Sequence, residues 1–183
     1  MNLALSLKSL FTGNSSNEAL MLRYVNANDN QALSQLYDNC GDDLYHFIVT
    51  LTDPILAKDI CQKTWLKVIE KKYLYRDSGK FKAWLFTMGR NILIDEIRKV
   101  SRFESHDIDV GCEQELMPLN LKEAFSQQLL ALPFEQREAF SLQQEGFGLQ
   151  EIANITHCGI ETIKSRIRYA KNTLRNNLEK YYD

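Results

Sequence analysis

Residues 151 to 169, EIANITHCGIETIKSRIRY, constrain this chain more than any other stretch. Ile152, Ala153 and Ile155 supply one apolar face at helical spacing, and Ile160, Ile163 and Ile167 supply a second. His157-Cys158-Gly159 interrupts the period, so the pattern predicts two short helices reversing across a tight turn. With the apolar faces buried, the second helix turns Glu161, Thr162, Lys164, Ser165, Arg166 and Arg168 outward. Such side chains bond to base edges and phosphates, as in a helix-turn-helix that lays its second helix in a major groove. Pairs of amphipathic helices also occur in all-helical domains that never meet DNA, so the pattern needs a second observation.

The distribution of charge supplies it. The 22 Lys and Arg residues nearly balance the 24 Asp and Glu residues, leaving a formal net charge of -2. From Glu161 onward, however, Lys164, Arg166, Arg168, Lys171, Arg175 and Lys180 face only Glu161, Glu179 and Asp183. Between Phe103 and Ile160 the sign reverses, and a series of carboxylates from Glu104 to Glu151 faces Lys122 and Arg137 alone. A mildly acidic chain thus carries a basic end suited to a polyanion.

With only 3 prolines and 8 glycines, and no alternating Val/Thr/Tyr runs, the expected fold is all-α: two small helical domains joined by a flexible acidic linker. The expected boundaries are 17–102, linker 103–118 and 119–183. The linker, FESHDIDVGCEQELMP, lacks apolar periodicity and is closed by Pro118. MNLALSLKSLF is interrupted by Lys8 and lacks the basic start and cleavage pattern of a signal peptide, and no apolar run approaches the roughly 20 residues that span a bilayer. A cytoplasmic site of action, with no membrane insertion, is expected. Cys40, Cys61, Cys112 and Cys158 are scattered, without Cys-x-x-Cys or histidine at ligand spacing, so no metal or cofactor is expected. No nucleophile sits beside a base and no glycine loop cradles phosphate, so enzymatic activity is not expected either.

In the first half, AKDICQKTWLKVIEKK reads as a helix whose core side holds Ile60, Cys61, Thr64, Trp65, Val68 and Ile69. Its opposite side carries Asp59, Gln62, Lys63, Leu66 and Glu70. A turn-containing loop from Tyr73 to Lys80 follows, and then one long helix from Phe81 to Arg102. Ala83, Trp84, Phe86, Met88, Ile92, Leu93 and Ile97 are its expected core, while Lys80, Lys82, Arg90, Asn91, Arg98, Lys99 and Arg102 make a second basic region. Cations beside aromatics suit single-stranded DNA, with Trp84 either a stacking platform or a core residue.

FKAWLFTMGRNILIDEIRK, a linker, LPFEQREAFSLQQEGFGLQEIA and ETIKSRIRYAKNTLR occur in the order and separation that resemble the extracytoplasmic-function sigma factors of the sigma-70 family. The resemblance runs from about Leu20 to Leu178. It implies that 17–102 is region 2, which binds core RNA polymerase and melts the minus-10 element, and that 119–183 is region 4, which reads the minus-35 element. Ile55, Lys58, Asp59, Gln62, Lys63, Leu66 and Glu70 would then meet the clamp helices of the largest catalytic subunit, with the flap region a further contact. Lys80, Lys82, Trp84, Arg90, Asn91, Arg98, Lys99 and Arg102 would hold the minus-10 region. In the recognition helix, Lys164, Arg168 and Lys171 would contact phosphates, while Thr162, Ser165 and Arg166, with Glu161 beside them, would specify bases. The acidic linker would pass through polymerase channels built to hold RNA. A stand-alone helix-turn-helix regulator binding duplex DNA without polymerase is the competing reading.

Two departures from the family pattern have physical consequences. The turn glycine four residues after the alanine is His157 here, leaving either His157 or Gly159 to adopt the unusual backbone angle. The acidic cluster before Gln-Glu-Thr-Phe becomes Leu56-Ala57-Lys58-Asp59 and Gln62-Lys63-Thr64-Trp65. If the clamp presents arginines, Lys58 and Lys63 oppose it, and like charges across an interface cost several kcal/mol, or more than about tenfold in affinity. Threonine phosphorylation would restore negative charge, at Thr64 first and then Thr52 or Thr50. A Ser/Thr kinase or an anti-sigma factor would be the corresponding regulatory partner, beside core polymerase and promoter DNA.

Overall fold

The computed structural model describes residues 16–76, 80–103 and 121–179, with the side chains of 101–103 excepted. The described residues form eight α-helices and no strand. Ser16 begins α1 (Asn17–Ala27) by accepting a hydrogen bond from the Ala19 N–H at 3.2 Å. Asn28, at φ 53°, ends that helix in the left-handed region, which asparagine adopts more readily than most residues with a Cβ, and its side-chain oxygen accepts from the Lys72 ammonium. Asp29 then caps α2 (Asn30–Val49) by accepting from the Gln31 and Ala32 N–H groups. Asp53 does the same for α3 (Pro54–Lys71), with Pro54 at the first turn, where no N–H is needed. A short 3-10 turn over Lys72–Leu74 leads towards α4 (Phe81–Phe103). The second half contains α5 (Leu121–Leu130), α6 (Phe134–Gln144), α7 (Leu149–Thr156) and α8 (Ile160–Leu178).

Helical spacing explains how the first half closes. Ala32, Leu36, Cys40, Leu44 and Phe47 form the buried stripe of α2. They meet Ala57, Ile60, Thr64, Trp65 and Val68 of α3, and Phe81, Leu85, Phe86 and Leu93 of α4. Gly89 lets α4 come close. A Cβ there would lie 3.0 Å from Leu44 Cδ1 and 3.3 Å from Thr64 Oγ1. The structure corrects two expected core positions: Ile69 and Ile97 are exposed at the edges of their helices, while Phe81 and Leu85, absent from the expected set, are fully buried.

The halves do not have separate cores. Ala139, Leu142, Phe147, Ile152, Ala153, Ile155, Ile163 and Ile167 of the second half join the apolar cluster of the first. α4 packs on α7, and α2 meets α6. Phe86 stacks on Phe47 at 5.3 Å and takes Phe147 edge-on at 4.9 Å, linking the halves through one aromatic chain. A smaller cluster of Leu132, Phe140, Ala170 and Leu174 secures the far end of α8. Apart from Phe103, the expected linker lies outside the described residues. Among the described residues, no helix is long and apolar enough to cross a membrane.

Candidate polymerase and promoter interfaces

The helix-turn-helix has the expected interruption. α7 ends at Thr156, His157 adopts φ 56° and ψ 38°, and the Cys158 N–H bonds to the Ala153 carbonyl at 3.0 Å. This is a Schellman-type closure with histidine in the position that favours glycine. Gly159 has φ -70° and simply precedes α8, so His157 and not Gly159 takes the left-handed angle. At the other end of α7, the Glu151 carboxylate accepts from the Gly148 N–H at 3.0 Å, satisfying an otherwise orphan donor.

On α8, Ile163, Ile167, Ala170 and Leu174 face inward, while Glu161, Thr162, Lys164, Arg168 and Lys171 are exposed. Ser165 and Arg166 are half-buried. Arg166 is not an outward side chain as expected: Nη1 turns back to Cys158 Sγ at 3.2 Å, across the turn. Lys164 pairs with Glu161 at 2.6 Å, and the Arg168 guanidinium covers the Tyr169 ring at 5.2 Å. A groove of about 320 Å³ runs beside the helix, lined by Leu149, Lys164, Ile167, Arg168, Lys171, Asn172 and Arg175. Arg175 was not among the expected contacts, yet 164, 168, 171 and 175 form a single i, i+4, i+7, i+11 stripe that spacing could have revealed.

On α3, Ile55 is 84% exposed and Leu66 is 52% exposed, with Lys58, Gln62 and Glu70 also on the surface and Asp59 and Lys63 half-buried. An apolar groove of about 530 Å³ lies between α2 and α3, floored by Trp65 and edged by Tyr37, Tyr45, Lys58, Leu66 and Ile69. Tyr37 meets Trp65 at 5.2 Å between ring centroids. Tyr37 and Ile69 therefore enlarge the apolar surface expected on this side. Lys63 bonds to Asp59 at 2.7 Å and to Glu96 of α4 at 3.2 Å. Its pKa is raised, chiefly by the Asp59 bond and then by Glu96, while that of Glu96 is lowered, first by Lys99 and then by Lys63.

Residues 36–103 match the family model described as Sigma-70 region 2, and residues 122–174 match that described as Sigma-70, region 4. The chain is 34% identical over 125 residues to the ECF RNA polymerase sigma factor EcfG of Rhodopseudomonas palustris, covering 64% of this chain and 68% of that one. It is 30% identical over 155 residues to the ECF RNA polymerase sigma factor SigL of Mycobacterium tuberculosis, covering 79% and 87% respectively. The chain belongs to the extracytoplasmic-function sigma factors of the sigma-70 family. Among solved structures, this sigma factor is similar to RpoE of Bartonella quintana, crystallised with the anti-sigma factor NepR, at a TM-score of 0.68 and 29% identity, covering 81% of this chain and 98% of that one. The fold is shared with CnrH, whose structure contains the cytosolic domain of CnrY, at a TM-score of 0.68 and 20% identity, covering 91% and 99%. Promoter-directed transcription initiation, with DNA and RNA polymerase binding, is the function of the family to which the chain belongs.

Within the sigma factor, the residues of the expected minus-10 set diverge. Lys80, Arg98 and Lys99 are exposed, while Trp84 and Asn91 are half-buried, Trp84 lying edge-on to Tyr75 at 5.3 Å. Arg102 belongs to α4, with its side chain outside the described set. Lys82 pairs with Asp43 at 2.7 Å, bonds to the Glu145 carbonyl at 3.0 Å and lies 3.7 Å from the Glu145 carboxylate. Arg90 Nε bonds to Glu138 Oε1 at 2.8 Å, and Nη2 reaches Oε2 at 3.4 Å. Of the three threonines, Thr64 is fully buried and donates its hydroxyl to the Ile60 carbonyl at 2.7 Å. Thr50 is half-buried and bonds to the Phe47 carbonyl and to Ser141 Oγ, while Thr52 is half-buried just before the α3 cap.

Proposed function

We propose that this sigma factor docks on the polymerase clamp helices through α3, holds the minus-10 region through α4 and reads the minus-35 element through α8, acting in the cytoplasm. Residues 17–102 and 119–183 serve as the two functional regions, 103–118 connects them, and the flap region engages the second. The observation that carries this reading is the α3 surface, where Ile55 and Leu66 stand exposed beside the groove floored by Trp65. Purified protein added to core polymerase should give promoter-specific run-off transcripts. Retardation of a promoter fragment by the chain alone, with no binding to core polymerase, would instead favour a stand-alone regulator. The Bartonella quintana relative was crystallised with an anti-sigma factor, and that likeness makes an anti-sigma factor a proposed partner here as well.

Activation by threonine phosphorylation is part of the same proposal. A phosphate would bring about −1.5 to −2 charges to a face on which lysines stand where the family has carboxylates. At Thr64 the modification requires α3 to lift from α4, because the hydroxyl lies beneath Gly89. The phosphate would then settle between Lys63 and Lys67 outside the core. Thr52 is the more accessible acceptor and lies near a helix N-terminus, which favours negative charge; Thr50 would have to give up its bond to Ser141. Mass spectrometry of transcriptionally active protein from cells should find one of these threonines modified, and unmodified active protein would sink the switch.

A further inference from the structure

Arg166 leaves the outer face of α8 and folds back eight residues along the chain, where its Nη1 donates to Cys158 Sγ at 3.2 Å. Cys158 is itself held at two points. Its backbone N–H donates to the Ala153 carbonyl at 3.0 Å, closing α7, and its thiol donates to the Thr156 carbonyl at 3.5 Å. A thiol has a single proton, so with that proton on Thr156 the sulfur meets the guanidinium as an acceptor only. Thr156 is buried in turn, its hydroxyl donating to the Ile152 carbonyl at 2.7 Å. The guanidinium is thus tied through the turn to the buried face of α7.

We infer that Cys158 is a positioning residue for promoter reading: it pins Arg166 at the turn, where the guanidinium anchors a backbone phosphate, and leaves Thr162 and Ser165 to specify bases without it. The inference rests on the proposed reading of the minus-35 element by α8 and assigns separate tasks within that site. In a helix-turn-helix the first helix crosses the DNA backbone while the second enters the groove, so a guanidinium tied to the turn between them lies on the phosphate side. Among the described residues only one of its N–H groups is engaged, and the others keep the planar fork that matches two phosphate oxygens. Base reading needs that fork over the outer face of α8, beside Thr162 one turn back, which Arg166 reaches only by giving up Cys158. A long side chain loses rotamer freedom when it binds, and the tether removes part of that cost before DNA arrives. Lys164 and Arg168 pair only with Glu161 and Tyr169 of α8 itself and have no such tie to the turn among the described residues.

Arg166→Ala, Cys158→Ala and Cys158→Ser in the full chain test this, each measured free and as holoenzyme with core polymerase. Side-chain NMR of the free chain follows the Arg166 Nη protons. The guanidinium should rotate slowly in the parent and in Cys158→Ser, whose hydroxyl can accept the same bond, and rapidly in Cys158→Ala. Holoenzyme binding to a promoter library randomised in the minus-35 element, at several salt concentrations, then gives base preference and salt slope together. Arg166→Ala should weaken binding by a similar factor on every sequence and lower the slope of log affinity against log salt by about one, with base preference unchanged. Cys158→Ala should lose about the same slope and gain a preference of about fivefold or more for guanine at one position, because the freed fork can bond to guanine O6 and N7. Cys158→Ser should match the parent in both, which a packing role alone would not produce, since alanine suits an apolar contact better than serine. The inference is overturned if Arg166→Ala erases a base preference, if Cys158→Ala keeps the parent's slope and preference, or if the guanidinium rotates freely in the parent. Should Cys158→Ala fail to fold, Arg166→Ala and the parent's NMR signal decide. A slowly rotating guanidinium in a chain whose holoenzyme selects no minus-35 sequence would support the tether and count against the promoter reading.

Discussion

Glu96 of α4 holds Lys63 of α3 at 3.2 Å, and Asp59 holds the same ammonium at 2.7 Å from within α3. Much of the charge that Lys63 would present to a polymerase clamp is therefore answered inside the chain, whereas Lys58 stands on the exposed edge of the α2–α3 groove. The two lysines are therefore not equivalent.

Lys58→Glu should strengthen binding to core polymerase several-fold. Lys63→Glu should do less, because it sets a new carboxylate beside Asp59 and Glu96 and loosens the join between α3 and α4. Fluorescence anisotropy with labelled core, run beside thermal denaturation of each variant, separates the two effects. Equal gains in affinity with equal midpoints would show that the Asp59–Lys63–Glu96 bridge does not matter.

Gly89→Ala should destabilise the chain despite the better helix propensity of alanine. The new methyl would meet Leu44 at 3.0 Å and the Thr64 hydroxyl at 3.3 Å, both in the core. Overpacking of this kind costs about 1 to 3 kcal/mol, against roughly 1 kcal/mol recovered from propensity. A net loss near 1 kcal/mol, read as a fall of about 2 to 4 °C in Tm, is expected. A rise in Tm would mean that α3 and α4 can move apart at no cost, which would also make Thr64 easier to modify.

His157→Gly should stabilise the second half by up to about 1 kcal/mol, because a left-handed residue with a Cβ pays a steric penalty that glycine avoids. His157→Val should be worse than the parent. Chemical denaturation gives both values, and DNA binding by the glycine variant should stay within about twofold of the parent, since the outer face of α8 is unchanged.

Arg175→Ala should weaken DNA binding by a similar factor on every sequence and reduce the slope of log affinity against log salt by about one. Thr162→Ala should leave the slope alone and alter the preference among sequences. An unchanged slope for Arg175→Ala would remove the far end of the cationic stripe from the interface.

The helix-turn-helix was legible in the sequence because its evidence is local. Ile152, Ala153, Ile155, Ile163 and Ile167 fall on the inner faces that their spacing indicates, and the chain reverses at His157. The position of a residue at the border of an apolar stripe was not legible. Ile69 follows the buried Val68 but turns onto the rim of the groove, and Ile97 lies beyond the point where α4 is covered. Arg166 read as an outward side chain because a helical wheel does not show that Cys158, across a tight turn, lies within its reach. Least legible was the partnership of Arg90 with Glu138: no periodicity links residues on α4 and α6, so only their docking reveals that a basic residue near the middle of α4 has a carboxylate over it.

On α8, the residues that pack and the residues proposed to meet DNA are different. Ile163, Ile167, Ala170 and Leu174 hold the helix in place, while Glu161, Thr162, Lys164 and Arg168 contribute nothing to the core. Substitutions on the outer face therefore leave the fold almost untouched. A duplicated copy of this gene could acquire new targets through a few surface changes, each intermediate remaining a folded protein, so that lineages can retarget the helix without first passing through unstable ancestors.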